Sequence, residues 1–151
     1  MKKFHFSLQK LLKYKEQLFE AEQIILRDMR NLLSKMESDL EEMLAQRELR
    51  SEEFRGAVAG GMFIYEIQLH QVFLRQLDHD IEQKRKQIQF QTRAVDKQID
   101  KVRNARQEII TIEKLKEKKL EEYHYAEQKE NELFIEEYVS TQRAMGSGIE
   151  R

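Results

Sequence analysis

Gly56-Ala57-Val58-Ala59-Gly60-Gly61 decides the fold, because this short run holds three of the five glycines in a chain of 151 residues that has no proline. The remaining two, Gly146 and Gly148, lie near the C-terminus. Gly and Pro are the residues that most often interrupt a helix. Two long segments are thus left without a breaker, and the sequence predicts an all-α fold: two long helices folded back at one turn into an elongated antiparallel coiled-coil hairpin. The expected bounds are a helix over about 7–55, a turn over about 56–61 and a helix over about 62–144, forming a single hairpin domain (1–145) with a flexible tail at 146–151.

Outward from the turn, both arms carry a seven-residue repeat. In the first, Leu12, Phe19, Leu26, Leu33 and Leu40 mark one row, and Met29, Met36 and Met43 fill the position three residues on. That is the a/d seam of a coiled coil. Leu11, Leu18, Ile25 and Leu32 form a second row beside it, so the apolar face is wider than a two-stranded seam needs and invites a further partner. In the second arm Leu74, Ile81, Ile88, Val95, Val102 and Ile109 make the main row. Its companion positions mix Leu77, Ala105 and Ile112 with Lys84, Gln91 and Gln98, a narrower and wetter seam. Surface pairs such as Glu82/Lys86 contribute only a few tenths of a kcal/mol each, so the seam must hold the arms together. Ser7 is the expected N-cap, with Phe6 stapled onto Leu11.

A turn centred in the Gly-rich run pairs residues whose numbers sum to about 117, setting Leu40 against Leu77, Met36 against Ile81, Met29 against Ile88 and Leu8 against Ile109. At 1.5 Å per residue the arms are on the order of 75 and 120 Å long. Roughly thirty residues after Glu113 are then expected to overhang without an internal partner, although Leu115, Leu120, Tyr123, Leu133, Phe134 and Tyr138 keep near-helical spacing there. A lone helix of this kind is marginal in water and calls for a partner.

Composition excludes several functions. The net charge of −1 balances 27 basic against 28 acidic residues, leaving no global field for nucleic acid or anionic lipid. The basic cluster Lys84-Arg85-Lys86 with Arg93, Lys97, Lys101, Arg103 and Arg106 is diluted by Asp96, Asp100 and Glu108 and reads as a charged coiled-coil flank. A nucleic-acid partner is therefore not expected. Cysteine is absent, which removes thiol chemistry and points to the cytoplasm. Lys and Gln residues interrupt the stretch after Phe6, so neither a signal segment nor membrane insertion is expected.

Phosphate loops, zinc-ligand spacings and nucleophile–base pairs are missing, so the chain is not expected to be an enzyme or to hold a metal or cofactor. His5, His70, His79 and His124 include no pair at metal-binding spacing, and Glu66/His70 reads as a surface ion pair. Just after the turn Met62, Phe63, Ile64, Tyr65, Ile67, Leu69, Val72 and Phe73 put apolar side chains around more of the helix than one seam can bury. They form either a plug closing the tip or a docking patch.

The run Phe4-His5-Phe6-Ser7-Leu8-Gln9-Lys10-Leu11-Leu12 with Lys15-Glu16 resembles the opening of the FliJ family, proteins of the bacterial flagellar type III export apparatus. Phe73-Leu74-Arg75-Gln76-Leu77 with Ile81 is similar to that family's second-helix signature, and Glu127-Gln128-Lys129-Glu130-Asn131-Glu132 to its C-terminal segment. The resemblance spans nearly the whole chain. It implies an antiparallel coiled coil similar to the central stalk of rotary ATP synthases, inserted into the hexameric ring of the export ATPase FliI. On that reading Leu11, Leu18, Ile25, Leu32, Leu133 and Phe134 face the ATPase.

The resemblance further implies contact with the export-gate protein FlhA through Phe73 and Leu77. Asp80 and Lys84 stand where a small residue and a histidine are expected, which implies a smaller or differently charged patch. Escort of export chaperones, a peripheral position at the inner-membrane export apparatus and self-association complete the expected partners and location. The alternatives are an injectisome stalk of the YscO type and a generic coiled-coil scaffold.

Overall fold

The protein is described by a computed structural model over residues 1–149. Two helices, α1 (Gln9–Ala59) and α2 (Ile64–Ile149), pack against each other as an α-hairpin, and the described residues contain no strand. The expected fold class is therefore the observed one. The turn, however, lies at residues 60–63. α1 passes straight through Gly56 because an isolated glycine costs a helix interior only about 0.5–1 kcal/mol and does not end it. Gly61 ends it: its φ of 88° lies in the left-handed region that side chains with a Cβ resist. Its N–H donates to the Val58 carbonyl at 3.2 Å, and the Gly60 N–H to Gly56 at 3.1 Å, satisfying carbonyls of the last turn.

For the same reason α2 continues through Gly146 and Gly148 to Ile149, past its expected end near 144. Residues 150 and 151 of the expected tail lie outside the described residues. At the other end, α1 begins at Gln9, whose N–H donates to the Phe6 carbonyl at 3.1 Å. Backbone closes this first turn rather than the expected cap from Ser7, which is exposed. Phe6 is buried, while Leu11 is 39% exposed.

Contacts group the chain into two compact units, Phe19–Asn104, which contains the turn, and Met1–Leu18 together with Ala105 onward. In the turn unit Asp39 pairs with Lys84 at 3.8 Å, Arg47 with Asp78, and Gln91 donates to the Met29 carbonyl at 3.3 Å. In the terminal unit Lys15 pairs with Glu108 at 2.8 Å and Lys116 donates to the Gln9 side chain at 2.9 Å. Facing residue numbers thus sum to about 120–125 rather than 117. Met29 meets Gln91 instead of Ile88, and the Leu40 region meets Lys84 instead of Leu77. The cause is the turn: moving its centre by about three residues shifts the pairing sum by about six. Such a slip is close to one heptad, which sets apolar rows against apolar rows again, so periodicity alone cannot distinguish the two registers.

Each unit has a small core. Leu26, Ile81 and Val95 are buried in the turn unit, and Phe6, Leu12 and Ile109 in the terminal unit, Ile109 at 1% exposure. Gln98 is buried beside the apolar residues of the turn unit. Its Nε2 donates to the Glu22 carbonyl at 3.0 Å and to the Glu22 carboxylate. Gln91 and Gln98 therefore use spare lone pairs of helical carbonyls across the seam. A satisfied polar pair of this kind adds little net stability but penalises other registers, since a slip strands the amide.

Candidate partner-binding surfaces

Phe73 and Leu77 stand one turn apart on α2 in the turn unit and border a shallow groove with Gln46, Leu49, Arg50 and Glu53. The Phe73 ring is 44% exposed, Leu77 is half-buried, and the Arg50 guanidinium sits 4.9 Å from the ring centroid. A cation over the aromatic face holds the ring in place and leaves its edge to solvent. Arg50 was not among the residues singled out from sequence; only the register that the Gly61 turn sets brings it opposite Phe73.

Nearer the turn, Phe63, Ile64 and Tyr65 are 70–80% exposed, and Leu69 and Val72 are also exposed. A plug would bury these side chains, so the cluster is a surface. His70 turns its ring toward Phe54, with centroids 5.5 Å apart, in place of the expected pair with Glu66. Arg47 and Asp78 form an exposed ion pair whose hydrogen bond holds the Asp78 carboxyl below the usual carboxylate range and raises the Arg47 guanidinium above its own.

The second row of α1 stays uncovered in both units. Leu11 and Leu18 in the terminal unit and Ile25 and Leu32 in the turn unit are all exposed. Leu32 opens onto a groove of about 550 Å³ that Met36, Phe90, Lys35, Lys86, Asp39 and Lys84 also line.

In the terminal unit the overhang of α2 is shorter than expected. The non-helical residues before α1 run along α2: the Tyr123 hydroxyl donates to the Lys2 carbonyl at 2.6 Å, Phe4 and Tyr123 rings lie 5.6 Å apart, and the Met1 ammonium is 3.6 Å from Glu130. These contacts carry the cover of α2 from the expected limit at Glu113 out to Glu130. Beyond Glu130, every residue from 131 to 148 is exposed. Leu133 and Phe134 are 60% and 69% exposed, and Ile135, Tyr138, Val139 and Met145 are exposed with them. No group of three or more His, Asp or Glu side chains converges among the described residues, and no described helix is long and apolar enough to cross a membrane.

A helical hairpin that exposes apolar side chains next to the turn, in the second row of α1 and at the end of α2 belongs to the class of structural or adaptor proteins that work through contacts with other proteins. Residues 4–147 match the model of the family described as flagellar FliJ protein, so the chain belongs to the FliJ family, components of the flagellar protein export apparatus rather than enzymes. No curated protein and no solved structure matches it significantly.

Proposed function

We propose that the chain is a stalk or adaptor that binds the export ATPase ring FliI and links it to the export gate FlhA, with ATP chemistry left to the partner. The observation that carries this reading is the unpaired end of α2. Residues 131–148 keep helical apolar spacing, yet no described residue covers them. Side chains such as Phe134 and Tyr138 fit burial by an external surface far better than permanent hydration. The ATPase-facing set is Leu133 and Phe134 with the uncovered row Leu11, Leu18, Ile25 and Leu32. The gate-facing set is Phe73 and Leu77, with Arg50 fixing the ring.

Contact with export chaperones and a peripheral position at the inner membrane belong to the same proposal, both reached through protein partners. Mixing the full chain with purified export ATPase and measuring hexamer assembly and ATP turnover tests it. Stimulation of both is the expected result. No change in either would remove the stalk reading while leaving family membership untouched.

A further inference from the structure

We propose that the groove bordered by Lys35 and Lys86 receives the C-terminal end of α2 from a second copy of this chain. Two surfaces match in apolar character and in charge. With 3.6 residues per turn, Phe134, Ile135, Tyr138, Val139 and Met145 share one face of α2. Glu130 and Glu137 edge that face on one side and Glu132 and Glu136 on the other, and residues 130–142 contain no Lys or Arg. All of these side chains are exposed. The segment is an amphipathic helix end with an acidic border on both edges.

The groove is its counterpart. Leu32, Met36 and Phe90 supply its apolar lining, of which Leu32 is 50% and Phe90 75% exposed. Phe90 lies outside the seam, where pairing with α1 cannot bury it. Lys35 rises from α1 and Lys86 from α2, one on each side, and neither makes an ion pair with a described residue. The third lysine, Lys84, is already turned to Asp39. A helix laid in the groove would bury its apolar stripe on Leu32, Met36 and Phe90 while its two rows of glutamates meet the two free lysines. Helix-in-groove recognition uses this arrangement.

The inference stands independently of the ATPase reading. It also predicts competition with it, because Phe134 and Leu32 would be buried by either partner. The chain's own end is then covered while the ATPase is absent.

Sedimentation velocity on the full chain over a wide concentration range tests this, using three proteins: the parent, a groove variant (Lys35→Glu with Lys86→Glu) and an end variant (Glu136→Lys with Glu137→Lys). All four positions are exposed, so helicity should be unchanged by circular dichroism. The expected result is concentration-dependent association of the parent that weakens with salt and falls by about tenfold or more in each variant alone. An equimolar mixture of the two variants should regain it, since the reversed groove then faces the reversed end. A parent that stays monomeric at every concentration overturns the proposal. So does association that survives either variant, or a mixture that does not recover.

Discussion

Residues 95–109 and 131–145 belong to the same helix and carry apolar side chains at similar spacing, yet they meet opposite fates. In the first stretch Val95, Gln98 and Ile109 are buried; in the second Leu133, Phe134, Ile135, Tyr138, Val139 and Met145 are 41–69% exposed. Helical periodicity states which face of a helix wants cover, and the difference lies in whether α1 or the residues before it are there to supply it. The covered stretch holds the fold. The uncovered one is available for function.

The sharpest way to break this contrast is to truncate one side chain from each stretch. Ile109→Ala, at the most buried position, should lower stability by about 2–5 kcal/mol in urea unfolding followed by circular dichroism. Phe134→Ala should change it by less than about 0.5 kcal/mol, the range of exposed substitutions. Equal effects would mean that the end of α2 is as well packed as its middle.

Next in size come the glycines. Gly61→Ala forces a Cβ into positive φ and should cost about 1 kcal/mol or more, whereas Gly56→Ala, with open space around it, should stabilise by about 0.5–1 kcal/mol. Opposite signs in thermal melts would confirm that the turn sits at 60–63. The reverse pattern would restore a turn at Gly56. A smaller effect is expected from Gln98→Leu, which trades a satisfied buried amide for apolar packing: stability within about 1 kcal/mol of the parent, with looser register. Cysteine pairs placed at facing seam positions of this cysteine-free chain would read that loosening as cross-links in more than one register.

The exposed Arg47–Asp78 pair should matter least. The Asp78 carboxyl is held below its unfolded value by the Arg47 hydrogen bond. Its contribution is therefore present above the unfolded carboxylate pKa and is lost as pH falls through the lower folded value. Asp78→Asn should abolish that small acid-side dependence and leave neutral-pH melting almost unchanged.

Much of this was legible in the sequence. The heptads of Leu12–Leu40 and Leu74–Ile109 and the clustering of glycines defined the hairpin, and the extra row Leu11, Leu18, Ile25 and Leu32 announced a face that stays exposed. The position of the turn was not legible, because composition does not reveal which glycine takes positive φ. From that one ambiguity followed the register, slipped by nearly a heptad, and the missed contact of Arg50 with Phe73. The cover that residues 1–6 give to Tyr123 was hidden for another reason: a non-helical segment has no periodicity to read. The length of the unpaired end was overestimated accordingly.

The central claim is that fold and partner binding reside in different stretches of α2. It is tested most directly by titrating the export ATPase with the parent and with a Leu133→Ser, Phe134→Ser variant in a calorimeter, with thermal melts of both proteins alongside. The account predicts coincident melts and at least about tenfold weaker ATPase binding by the variant. Undiminished binding, or a variant that melts far below the parent, would contradict it.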